Sequence, residues 1–107
     1  MDNPLISVIL TGYNIETYIE AALQSALSQQ DVNLEIIAVD DASTDTTFQR
    51  MASTGDARVK PIRLSANHGP SGARNAAIAA ASGQWLAVLD GDDRFLPGRL
   101  ARCLKQA

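Results

Sequence analysis

Residues 34–45 read Leu34-Glu35-Ile36-Ile37-Ala38-Val39-Asp40-Asp41-Ala42-Ser43-Thr44-Asp45, an apolar run that ends in two acids and then in three capping side chains. A short run rich in Val, Ile and Leu has the pattern of a strand buried on both faces of a parallel sheet. Ser43, Thr44 and Asp45 then open a helix expected over 46–53. The same unit of strand, polar loop and helix recurs outward in both directions. Further apolar runs stand at 5–10, 59–64 and 85–89. Between them, Tyr18, Ile19, Ala22, Leu23, Ala26 and Leu27 form a helical stripe with Asn14 placed to cap its start. An alanine-rich helix is expected over 72–81 with its stop at Gly83, and a fourth helix begins at Pro97 and includes Leu100, Cys103 and Leu104. Strand and helix in alternation predict one α/β domain with right-handed crossovers.

The whole chain agrees with that reading. It has 107 residues, 46% hydrophobic and 20% charged, with no low-complexity tract or repeat. Such a chain buries a core of its own. One cysteine, Cys103, excludes an internal disulfide, and one histidine, His68, excludes the usual Cys/His zinc sites. A net charge of −3 argues against nucleic acid as the partner. The opening Met1-Asp2-Asn3-Pro4 has no basic leader, and the apolar run behind it is too short for a signal or a membrane helix. The expected location is the cytoplasm, with membrane association open for a longer protein.

Ligands of open parallel sheets bind beyond the carboxyl ends of the strands. Four loops leave those ends: Thr11-Gly12-Tyr13-Asn14, Asp40 to Asp45, Ser65 to Asn75, and Asp90-Gly91-Asp92-Asp93. Six of the twelve acids lie in the second and fourth of them. Asp90, Asp92 and Asp93 beside a glycine fit either a solvated acidic turn or a site for Mg²⁺ or Mn²⁺, which take hard oxygen ligands. Asp40 and Asp41 fit either acceptors for a base N–H or a ribose hydroxyl, or an exposed lead-in to a helix that Ser43 and Asp45 cap. Tyr13 fits base stacking or partial burial. Gly69, Gly72 and Arg74 fit an ordinary turn into a helix or an anion site at a helix start. No P-loop or dinucleotide fingerprint is present.

Taken in order, Ser7 to Asn14, Val39 to Thr46, Asn67 to Asn75 and Leu89 to Asp93 resemble the motifs of family 2 glycosyltransferases. The resemblance covers nearly the whole chain and implies a Rossmann-like, three-layer GT-A fold with a mainly parallel sheet. It implies a domain at 1–107 that binds a nucleotide-diphosphate sugar, with UDP the expected nucleotide and GDP or dTDP the alternatives. It carries nucleotide-sugar contacts over to Thr11, Tyr13, Asp40, Asp41, Arg74 and Asp90, and the metal, Mn²⁺ or Mg²⁺, to Asp92 and Asp93. Sugar would pass with inversion to a glycan or lipid-linked acceptor. The general base and the acceptor-binding part are expected outside these residues, so the chain alone is expected to be inactive. A face left open where that part would pack is expected to favour self-association. Two other classes compete. A Mg²⁺-binding receiver-like signalling domain also clusters aspartates, but it needs them after the first strand and a lysine in a later loop. A non-catalytic nucleotide-binding module is the third reading.

Overall fold

Four apolar runs become the strands of one parallel sheet, β1 (Leu5–Gly12), β2 (Asn33–Asp40), β3 (Val59–Arg63) and β4 (Trp85–Asp90). The computed structural model describes residues 4–106, so the opening residues 1–3, read above for a leader, lie outside the described residues. Helices α1 (Ile19–Leu27), α2 (Thr47–Ala52) and α3 (Gly69–Ala80) connect successive strands, and α4 (Arg99–Gln106) follows the last. The strand order is β3-β2-β1-β4. After two crossovers in one direction, the chain returns across β1 to place β4 on its other side. Among the described residues, no helix is long and apolar enough to cross a membrane.

Period-two alternation splits the core into two layers, because successive side chains of a strand point to opposite faces. Ile6, Val8 and Leu10 of β1 join Leu34, Ile36 and Ala38 of β2 under α1, with Met51 of α2 and Leu100 of α4 in the same cluster. On the opposite face Ile9, Ile37 and Val39 pack under Ala73 and Ala77 of α3. Small residues on α3 let its backbone sit close to the central strands.

The two edges of the sheet differ. β3 carries Lys60, Pro61 and Arg63, and charge together with a missing N–H discourages further pairing. β4 has no such protection, and Trp85, Leu86 and Val88 are half exposed. The expectation that every strand is buried on both faces therefore holds for β1 and β2 and fails for β4 and for β3, where Lys60, Pro61 and Arg63 are exposed. α3 packs on β1 and β2 and leaves Leu86 and Val88 of β4 uncovered, while Trp85, in register with Ile6, is half exposed on the opposite face.

Three helix starts also differ from the sequence expectation, among them α4, which begins at Arg99 and not at Pro97. Asn14 does not cap α1. It adopts φ 52°, and its Oδ1 accepts the Thr44 N–H at 2.9 Å from the neighbouring loop. α3 begins at Gly69, three residues early, with Pro70 in its first turn. Proline is pre-organised for that position and lacks the N–H that would be left over.

At the amino end of the sheet lies a polar cluster that the sequence reading did not single out. Ser7 and Glu35 are in register on β1 and β2. The Glu35 carboxylate accepts the Ser7 hydroxyl at 2.6 Å, the Lys60 ammonium at 2.6 Å and the Ser82 N–H at 2.8 Å. The Gly83 N–H donates to the Ser7 hydroxyl at 2.8 Å. A Cβ on Gly83 would stand 2.5 Å from Ser7 Oγ and 2.7 Å from the Leu5 carbonyl oxygen, so only glycine fits this close approach. The cluster fastens the turn between α3 and β4 to the central strands.

Candidate functional site

The strand order decides where the site lies. β1 and β4 are neighbours, yet the connection after β1 runs through α1 to β2 while β4 is reached from α3. A crevice opens where the connections diverge, at the carboxyl ends. It is a cavity of about 550 Å³ whose walls include Thr11, Tyr13, Asp41, Arg74, Asp90 and Asp92. Four loops far apart in sequence supply them. Asn67, Gly69, Pro70 and Ala73 complete the α3 side.

Each wall residue is held by identifiable contacts. Main-chain bonds lock the strand ends together, from Asp41 N–H to the Gly12 carbonyl at 2.9 Å and from Gly91 N–H to the Thr11 carbonyl at 2.8 Å. Ile15, not foreseen from the sequence, folds across this junction. A Cβ on Gly12 or on Gly91 would collide with its Cδ1. The signal was present as one glycine at the end of each strand, since paired glycines mark a close approach.

Asp41 is buried, and its carboxylate accepts the His68 N–H at 2.7 Å and the Gly69 N–H at 3.0 Å. α3 has no side-chain cap from its own N-cap residue, His68. Asp41 supplies that function from the end of β2, satisfying two of the free donors at the helix start. Asp40, its neighbour, faces the other way. It is fully buried, does not line the cavity, and binds the Ser43 N–H at 3.1 Å as well as the Ser43 hydroxyl. Arg63 stands 3.8 Å from the same carboxylate.

Arg74, on the second turn of α3, reaches across to within 3.9 Å of Asp90. Its buried Nε–H has no hydrogen-bond partner among the described residues. An unsatisfied cationic donor beside the cavity suits an oxygen of an anionic ligand. In the acidic turn, the Asp93 N–H binds the Asp90 carbonyl at 2.9 Å. That turn directs Asp92 to this cavity and Asp93 to an adjoining hollow, which shares Arg74 and Asp90.

The loop after Tyr13 is stitched to the acidic loop. The N–H groups of Asn14, Ile15 and Glu16 donate in turn to Ser43 Oγ at 2.9 Å, Thr47 Oγ1 at 3.0 Å and Asp45 Oδ2 at 3.3 Å. Burial alone would push the Asp45 carboxyl up, but hydrogen bonds from Thr47 and the Glu16 N–H outweigh it and hold the group below the usual range. Asp45 also takes the Thr47 N–H at 2.9 Å, so it, rather than Ser43, supports the start of α2.

Comparison with known proteins places these features in a wider set. The family model for glycosyl transferase family 2 matches residues 7–107. The chain is 45% identical over 104 residues to the succinoglycan biosynthesis protein ExoO of Rhizobium meliloti, covering 97% of this chain and 30% of the relative. It is 38% identical over 100 residues to WfgD of Escherichia coli, a UDP-Glc:alpha-D-GlcNAc-diphosphoundecaprenol beta-1,3-glucosyltransferase, covering 94% of this chain and 40% of that protein. Among solved structures, S. aureus TarS in complex with UDP-GlcNAc superposes with a TM-score of 0.81 at 31% identity, over 94% of this chain and 30% of the other. The mannosyltransferase PcManGT of Pyrobaculum calidifontis, in complex with GDP-Man and Mn²⁺, gives a TM-score of 0.86 at 28% identity, over 97% and 32% of the two chains. The fold is that of the GT-A transferases. This chain spans 30% to 40% of the length of the curated relatives named here.

Proposed function

This chain belongs to glycosyl transferase family 2, and from that premise we propose that the β1–β4 cavity binds the nucleotide-diphosphate sugar donated by an inverting glycosyltransferase. One observation carries the reading. Tyr13, Asp41, Arg74, Asp90 and Asp92 line a single cavity at the topological switch point, and together they suit an aromatic base, a ribose and a diphosphate. Thr11, Tyr13 and Asp41 take the nucleotide, Asp90 the ribose side, and the partly exposed Arg74 guanidinium an oxygen of the diphosphate.

The residues also fit a divalent cation of a particular kind. Asp92 and Asp93 make no ion pair among the described residues, and no group of three metal-ligating side chains is gathered there. Mg²⁺ and Mn²⁺ take one or two carboxylates and complete their shell with phosphate and water. Asp92, in the cavity wall, would hold the ion, with Asp93 beside it. Bound there, a divalent ion neutralises negative charge on the departing diphosphate. Arg74 adds a fixed cation on the same side.

UDP is the proposed nucleotide, in keeping with the UDP-GlcNAc complex of one structural neighbour and the UDP-glucose donor in the name of one relative. The acceptor is proposed to be a glycan or lipid-linked saccharide, the second class being that named for the Escherichia coli relative. On this reading the protein works in the cytoplasm, at a membrane surface when the acceptor is lipid-linked. The acceptor hydroxyl must lose a proton as it attacks, a transfer worth roughly 10²–10⁴-fold in rate. We assign that base, and the acceptor contacts, to sequence beyond these 107 residues, which alone are expected to turn over no sugar.

Calorimetric titration of UDP is the test. Binding is expected with Mn²⁺, with a loss of at least tenfold in EDTA and in Asp92→Ala. No binding of UDP, GDP or dTDP in either condition would overturn the donor reading. A second expectation concerns association. The open β4 edge, with Leu86 and Val88 half exposed, supports self-association at that face, and sedimentation showing a strict monomer would count against it.

A further inference from the structure

The buried Asp40 faces away from the cavity, yet it anchors a chain of bonds that leads back to it. Its carboxylate takes both the N–H and the hydroxyl proton of Ser43. With its proton committed to Asp40, the Ser43 oxygen is left as an acceptor, and the Asn14 N–H donates to it at 2.9 Å. Asn14 directly follows Tyr13, a residue 47% exposed at the cavity wall. Two further acceptors, Thr47 and Asp45, take the next two N–H groups. Asn14 and Ala42 both adopt left-handed backbone, at φ 52° and 61°. Non-glycine residues hold that conformation only where the surroundings over-determine it. Here the bonds across the two loops do so.

Resting on the donor reading above, we infer that Ser43, oriented by Asp40, is a positioning residue that holds Tyr13 over the donor cavity by clamping the backbone of Asn14. Asp40 therefore contributes to donor binding without touching the donor. Thr47 and Asp45 extend the clamp along Ile15 and Glu16. A half-exposed tyrosine on an unclamped loop would lose ordering entropy on every binding event, and pre-organisation removes that cost.

A double-mutant cycle on UDP affinity, measured by calorimetry with Mn²⁺, separates this role from a merely structural one. Ser43→Ala and Tyr13→Ala are each expected to weaken UDP by about tenfold. The double variant is expected to bind no more weakly than Tyr13→Ala, because Ser43 acts through that ring. Amide hydrogen exchange at Asn14 should quicken in Ser43→Ala by at least tenfold. Additive losses in the double variant would overturn the proposal, as would a lower urea midpoint with unchanged UDP affinity. Should Ser43→Ala fail to fold, Thr47→Val removes the acceptor of the Ile15 N–H at nearly constant volume and enters the same cycle. Wild-type protein that binds no UDP would overturn the donor reading, whereas wild-type binding with additive losses overturns the clamp alone.

Discussion

Asp41→Ala is expected to abolish UDP binding, by 100-fold or more, and to lower the stability of the whole chain. Both effects come from one carboxylate. In the folded protein it accepts the His68 and Gly69 N–H groups at 2.7 Å and 3.0 Å. Alanine removes the charged acceptor of the His68 N–H and leaves the Gly69 N–H only the Asn67 Oδ1 at 3.2 Å, and a hydrogen bond to a charged group is worth roughly 1.5–3 kcal/mol. α3 then frays from its first turn, which forms one side of the cavity. Water entering the space left by the side chain would recover part of the stability. Asp41→Asn keeps one acceptor oxygen and nearly the same shape, so its urea midpoint should fall between those of wild type and Asp41→Ala. Its UDP affinity should stay as low as that of Asp41→Ala, because an amide lacks the charge and the second acceptor. Wild-type affinity in Asp41→Asn would remove Asp41 from the donor site and leave it a helix cap.

The second large effect is expected at the opposite end of the sheet. Burial alone would push the Glu35 carboxyl up, but Lys60, Ser7 and Ser82 outweigh burial and hold it at about 2. A carboxyl lowered on folding stabilises the folded state fully above its unfolded value of 4.5. That contribution is lost as pH falls from about 4.5 to about 2, where the unfolded chain binds the extra proton. By linkage it amounts to at most about 3 kcal/mol. The ceiling is not reached, because Lys60 is half exposed and solvent screens its share. Glu35→Gln should therefore unfold at lower urea than wild type at pH 7, and the two midpoints should converge toward pH 2. Glu35→Ala also strands the Ser7 hydroxyl and the Ser82 N–H, and is expected to lower Tm by about 10 °C or more. A constant gap between wild type and Glu35→Gln over that pH range would show that folding does not lower the Glu35 carboxyl.

Much of this architecture was legible beforehand for a physical reason. Buried strands between capped helices write their order directly into the sequence, and the carboxyl-end rule points to the loops that follow them. Thr11, Tyr13, Asp41, Arg74, Asp90 and Asp92, which line the cavity, all stand in those loops, although Thr11 was singled out only by the resemblance. Other features depended on contacts between distant segments. Asn14 has the chemistry of a cap, but Thr44 of another loop captured its side chain. Glu35 reads as one polar residue in an apolar run, and only its register with Ser7 shows a buried cluster. Ile15 lies between a motif and a helix, where neither pattern assigns it.

The sequence by itself determined the α/β class, the order of the elements and the four loops that carry the chemistry, because these follow from the local apolar pattern. Tertiary structure alone decided that β4 lies beside β1 and not beside β3, since a period of two shows which residues share a face and never which strands pair. It also separated Asp40 from Asp41. Consecutive residues at a strand end point to opposite sides of the sheet, and only the side that α3 covers faces the cavity. One acid therefore lines the site, and the other is buried behind it, holding Ser43.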